Sequence, residues 1–120
     1  MPDSRHTLSK EEKVCGKMRI SRLMHRGKYS TESFLRYCYM PSEAPVSAIL
    51  ASVPKRHFKR AVKRNLLKRR IREAYRLQKE TLRVSVDIMF VYQDEAVRSF
   101  GEIFETVGAV LRRIADETSA

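Results

Sequence analysis

Apolar residues recur along the chain at two spacings, and the changes between them mark the elements. The first helical pattern begins at Ser9, where Ser9-Lys10-Glu11-Glu12 has the form of a capping box, and runs to about Arg26. Gly27 then predicts a left-handed C′ position. The apolar residues of this segment (Val14, Met18, Ile20, Leu23, Met24) wrap broadly, as on an imperfect core face. Phe34 to Met40 alternates and is rich in aromatics, which predicts a strand. Leu35, Tyr37 and Tyr39 share one of its faces; Phe34, Arg36 and Cys38 share the other. After a loop holding Pro41 and Pro45, a second strand of small residues spans Val46 to Val53 and stops at Pro54. A third covers Val84 to Tyr92, and a final helix of about Val97 to Ala115 carries the clearest amphipathic stripe, from Phe100 to Ile114.

Between the second and third strands lies a helix of roughly Lys59 to Glu80. At ~100° per residue, Leu66, Leu67, Ile71, Ala74 and Leu77 gather on one side. Arg64, Lys68 and Arg72 stand one above another on the opposite side, flanked by Asn65, Arg69 and Arg76. Tyr75 falls among the basic residues, whereas Arg70 falls inside the apolar arc, where its stem can snorkel to solvent. Strand, helix and strand form a βαβ unit. The fold class is therefore α+β: three helices on a small, mostly antiparallel sheet, with no internal repeat.

Charge sharpens this picture. The 120 residues hold 25 Lys and Arg against 14 Asp and Glu, a net charge of +11. Eleven of the basic residues and only one acid, Glu73, lie between Lys55 and Arg76, so one segment carries nearly all of the excess. Such self-repulsion calls for an anionic partner. Nucleic acid fits better than a membrane surface, because the helix has no Trp- or Phe-rich insertion face. The apolar share of 42% argues against a disordered tail. No apolar run approaches the ~18–20 residues of a membrane span, and the polar stretch Met1 to Lys13 is not a signal peptide. One cytoplasmic domain over residues 1–120 is expected, with flexible ends at 1–8 and 116–120.

No catalytic constellation assembles. His6, His25 and His57 sit in three different elements without metal or triad spacing, and His57 reads as a phosphate-facing group. Cys15 and Cys38 make neither a disulfide framework nor a zinc cluster and read as buried structural thiols. Asp94, Glu95, Glu102 and Glu105 suit a loop and a solvated helix face, and four glycines leave little for a phosphate loop. The expectation is a protein without catalytic residues or a metal of its own. Its stacked Arg, Lys and Asn side chains repeat at ~6 Å, close to phosphate spacing along a folded strand. A strand and Pro54, not a short helix and tight turn, precede them, which favours structured RNA over a DNA groove.

The stretch from Ser52 to Arg76 resembles the signature of the bacterial ribonuclease P protein component. That family's Arg-Asn-Arg, Lys-Arg and Arg-Glu pattern is matched at Arg64, Asn65, Lys68, Arg69, Arg72 and Glu73, and the order of elements agrees over almost the whole chain. The resemblance implies a fold like the second domain of a small-subunit ribosomal protein, with a left-handed βαβ crossover in place of the usual right-handed one. It implies a subunit of the ribonucleoprotein that removes the 5′ leader of precursor tRNA by magnesium-dependent, RNA-catalysed hydrolysis. Magnesium is then a requirement of the RNA–protein holoenzyme and not a ligand of the protein alone.

Two RNA partners follow from the resemblance, ribonuclease P RNA and precursor tRNA, with no membrane and no obligate protein partner. Arg64, Asn65, Lys68, Arg69 and Arg72 would contact the catalytic RNA, with Lys55, Arg56, Lys59 and Arg60 beside them. The leader would lie between the first helix, at Ile20 and Met24, and the sheet, where Tyr37 and Tyr39 could stack on bases at ~1–3 kcal/mol each. If Phe34, Arg36 and Cys38 face the cleft instead, those two rings are excluded. Two positions depart from the pattern. Leu66 stands where the motif has its second arginine, a loss that Arg70 or Lys63 could offset, and Ile20 and Met24 stand where the family usually has aromatics. The residues taken alone also allow a non-enzymatic structured-RNA-binding module of ribosomal or chaperone type.

Overall fold

A computed structural model describes residues 8–119. Helix α1 (Lys17–Arg26) is followed by strands β1 (Lys28–Glu32), β2 (Leu35–Pro41) and β3 (Ala48–Ser52). Helix α2 (Ala61–Gln78), strand β4 (Val86–Tyr92) and helix α3 (Phe100–Thr118) complete the chain. The strands form one sheet in the order β1-β2-β4-β3. β2 pairs antiparallel with both β1 and β4, with Tyr37 opposite Phe90. β3 pairs parallel with β4, Ile49 opposite Ile88, so α2 is the crossover of the βαβ unit.

The two faces of the sheet are covered unequally. Leu35, Tyr37 and Tyr39 of β2 join Ile49, Ile88, Phe90 and Tyr92 in a core roofed by α2 and α3. α3 supplies Ile103, Val107, Val110, Leu111 and Ile114, the stripe its sequence predicts, and Ser99 with Glu102 closes a capping box at its start. Among the described residues, the other face meets α1 and the segment before it, through a smaller cluster of Val14, Leu23, Cys38, Ala48 and Met89. Ile20, Met40, Leu50 and Val91 edge this cluster and remain partly open.

Several elements differ from the sequence expectation. The first helix is broken in two. The Ser9 amide donates to the Glu12 carboxylate as in a capping box, and its hydroxyl donates to the same oxygen, but the turn they start is a single 3₁₀ turn, Lys10–Glu12. Val14 is then buried, and its amide donates to the Ile49 carbonyl at 2.9 Å, which draws the chain along the outer edge of β3. Gly16, at φ 91, turns it into α1. Gly27 is not left-handed but extended, at φ −69 and ψ 152. It is needed for closeness instead, since a Cβ there would sit 2.5 Å from the Leu23 carbonyl oxygen.

β1 has no counterpart among the predicted strands, because its residues Lys-Tyr-Ser-Thr-Glu carry little apolar signal. It is a polar edge strand, joined to β2 through Ser33 at φ 53. The second and third predicted strands are trimmed to Ala48–Ser52 and Val86–Tyr92. Residues 116–118 close helix α3, where Glu117 accepts a hydrogen bond from Tyr39 Oη at 2.5 Å and pairs with Lys28 at 3.3 Å. Leu8 is buried in the main core, while residues 1–7, His6 among them, lie outside the described residues. None of the described helices is long and apolar enough to cross a membrane.

Candidate nucleic-acid interface

α2 forms because residues 61–78 contain neither Gly nor Pro and alternate apolar with long, helix-favouring basic side chains. It is rolled about its axis relative to the sequence expectation. Tyr75, expected among the basic residues, is 1% exposed in the core, and Leu77, expected in the core, is 52% exposed. Leu67, Ile71 and Ala74 share the buried side with Tyr75. Arg64, Lys68 and Arg72 therefore run along the margin of the buried face, half-buried, and are not opposite it. Val62, Asn65 and Arg69 point outward. The aromatic ring decides the roll, since it fills the sheet-facing volume that a helical wheel assigns to leucines.

Each basic group is placed by its own contacts. Arg64 Nη1 donates to the carbonyls of Phe58 at 2.7 Å and Lys59 at 2.8 Å, fixing the loop that carries the exposed Lys55, Arg56, Lys59 and Arg60. His57 is half-buried in this loop. α2 has no acidic residue in its first turn and no side-chain cap, so cations crowd the positive end of its dipole, an arrangement that an anion would relieve. Further along, Arg69, Arg72 and Arg76 face a groove of about 540 Å³ whose far wall is Lys13, Val14, Cys15 and residues 49–51 of β3. Burial and the neighbouring Arg69 push the Arg72 pKa down. Arg72 has no acidic partner among the described residues, whereas Glu73 is bound by Arg76 at 3.0 Å.

Arg70 is half-buried, and its guanidinium donates to the Arg98 carbonyl at 2.5 Å, just before α3. Cys15, expected to be buried, is exposed in the groove; Cys38 is buried, and burial raises its thiol pKa.

On the other face of the sheet, Ile20 is half-buried in the α1 cluster, and Met24 is exposed on the last turn of α1. Tyr37 and Tyr39 are not in this cleft. Both lie beneath the helices, 1% and 6% exposed, so neither can stack on a base. The register explains this, since their cross-strand partners Phe90 and Ile88 are the centre of the main core. Arg36 and Cys38 of the opposite face look toward α1. They are joined there by Tyr29, a residue that the sequence pattern passes over. Tyr29 Oη donates to the Met24 carbonyl at 2.8 Å, and the Arg36 guanidinium lies 4.8 Å from the Tyr29 ring centre. The alternation of Tyr29 and Thr31 with polar neighbours is the only signal for this strand, and it is faint. Ile20, Met24, Tyr29, Arg36 and Val91 thus lie on or beside the α1 face of the sheet: apolar, aromatic and cationic together.

Residues 8–115 match the family model described as Ribonuclease P. The chain is 36% identical over 118 residues to the ribonuclease P protein component of Porphyromonas gingivalis, covering 90% of this chain and 86% of that one. It is 31% identical to the ribonuclease P protein component of Desulfovibrio desulfuricans over 116 residues, covering 92% of this chain and 88% of that one. Among solved structures, the RNase P protein of Staphylococcus aureus aligns with a TM-score of 0.76 at 21% identity, covering 86% of this chain and 94% of that one. That of Thermotoga maritima aligns with a TM-score of 0.75 at 20% identity, covering 85% and 96%. A basic helix crossing between parallel strands, an α1 cleft on the opposite face and these likenesses agree, and the chain belongs to the ribonuclease P protein component family.

Proposed function

We propose that this chain is the protein subunit of a tRNA 5′-processing ribonucleoprotein, whose RNA subunit cuts the leader from precursor tRNA. The observation that carries this is the partition of α2: one side is sealed into the core, and the rest presents Arg, Lys and Asn with a single acid, itself bound by Arg76. Arg64 and Lys68 on the margin, Asn65 outside, and Arg69 and Arg72 along the groove meet successive phosphates of the catalytic RNA. Lys55, Arg56, Lys59 and Arg60 extend this contact along the loop that Arg64 holds. The leader enters the α1 cleft, where Tyr29 offers a ring face, Ile20 and Met24 offer apolar contact, and Arg36 offers charge.

Among the described residues no three His, Cys, Asp or Glu converge, and carboxylates such as Asp87, Asp94 and Glu73 are bound to arginines. The magnesium of the proposed reaction is held by the RNA, and this chain's residues bind and orient. Its place of action is proposed to be the cytoplasm. The test is reconstitution: this protein, a bacterial ribonuclease P RNA and precursor tRNA at low magnesium. Leader cleavage should rise well above that of the RNA alone, and no gain would overturn the proposal.

A further inference from the structure

α1 carries charge that neither the α2 ridge nor the leader cleft uses. Its ten residues include Lys17, Arg19, Arg22 and Arg26, and no acid. Arg19 turns inward to Asp87. Lys17, Arg22 and Arg26 are exposed, have no acidic partner among the described residues, and line a shallow groove of about 410 Å³ with Met18, Ser21 and His25. Met18 is 79% exposed at the centre of this patch.

A merely solubilising helix mixes signs, as α3 does with Glu102, Glu105, Asp116 and Glu117 against Arg112 and Arg113. The helix dipole accounts for the cations of the last turn of α1, Arg26 and His25, but it opposes Lys17 in the first. Along the chain, the patch follows directly on one wall of the α2 groove. Lys13 and Cys15, just before α1, form one wall of that groove, and Arg69 and Arg72 form the other.

We propose that the solvent face of α1, with Lys17, Arg22 and Arg26 around Met18, is a second docking surface for the phosphate backbone of the catalytic RNA, which passes around the β3 edge from the α2 groove. This rests on the RNA-binding function proposed above. The three cations neutralise phosphates, and the soft Met18 side chain lies against a ribose or base.

The test is the salt dependence of binding between the full-length protein and ribonuclease P RNA. A Lys17→Gln, Arg22→Gln, Arg26→Gln variant should lower the slope of log affinity against log salt by about two to three, and weaken binding at least about tenfold at low salt. Ser21→Glu, which removes no cation, should weaken binding in the same direction. If the slope is unchanged in a helical, folded triple variant while Arg69→Gln with Arg72→Gln lowers it, the α1 surface is overturned and the α2 ridge stands. If neither variant lowers the slope, the proposed function itself fails. A loss confined to precursor tRNA binding by the assembled holoenzyme also overturns the α1 proposal.

Discussion

Arg19 of α1 grips Asp87 of β4 with two hydrogen bonds, Nε to Oδ2 at 3.0 Å and Nη2 to Oδ1 at 2.6 Å. Asp87 is buried on the sheet face, while Arg19 still touches solvent. The partners are therefore unequal. Removing Arg19 strands a carboxylate against Ala48 and Met40, its cross-strand neighbours, whereas removing Asp87 frees a guanidinium that water can reach. Arg19→Ala should cost ~2–3 kcal/mol of stability and Asp87→Ala only ~1 kcal/mol. Urea unfolding of both variants checks the order, and equal losses would contradict it.

Lys68 and Arg64 stand one turn apart but should answer differently to substitution. Lys68→Gln removes one phosphate contact and should lower the salt slope of RNA binding by ~0.7–0.9. Arg64→Gln also releases the Phe58 and Lys59 carbonyls, so the loop bearing Lys59 and Arg60 loosens and the slope should fall further. Matching slopes for the two variants would show that the loop is held by something else.

The two thiols differ in access. A thiol reagent added to the native protein should modify Cys15 quickly and Cys38 only after unfolding, since Cys38 is buried between α1 and the sheet with its pKa raised by that burial. Mass spectrometry before and after denaturation counts the modified sites.

The C-terminal turn ties stability to pH. Hydrogen bonds from Tyr39 and then Lys28 hold the Glu117 carboxyl below its ordinary 4.5. The unfolded chain thus binds the proton more tightly, so this stabilisation is present above about pH 4.5 and is lost as pH falls through the folded value. Tyr39 is shifted the other way, to about 12, by burial and by Glu117. Its contribution is present below its ordinary 10 and fades as pH rises through 12. Glu117→Gln should flatten part of the acid limb of stability against pH, measured by urea unfolding from about pH 3 to 7. An unaltered limb would show that the Glu117 contact does not persist in solution.

How far the sequence foretells the structure depends on how local each cause is. The stripe of α3 and the basic run of α2 are legible because both are periodic within one element. β1 is not, because a polar edge strand is specified by its pairing with Cys38 and Tyr37 of β2 and not by its own side chains. The break before α1 is hidden too: Ser9 and Glu12 form their box as written, but Val14 gains more by burial beside Ile49 than by continuing the helix. The basic residues of α2 are legible as a set, while their orientation depends on Tyr75 turning inward. For the leader, which face of β2 meets α1 is a matter of register, and register exchanges Tyr37 and Tyr39 for Tyr29 and Arg36.

Gly27 and Gly16 give the two ends of α1 different mechanics. At Gly27 the helix passes into β1 through a single residue, with the Leu23 carbonyl too close to admit a side chain. That joint is stiff, and Tyr29 reinforces it by binding the Met24 carbonyl. Gly16 has open space around it and a backbone angle that other residues rarely adopt, so that turn depends on glycine's conformational freedom, and Arg19 on Asp87 ties the first turn of α1 to the sheet. The two ends of α1 are thus fixed by different means, a close backbone approach at Gly27 and a side-chain ion pair at Arg19.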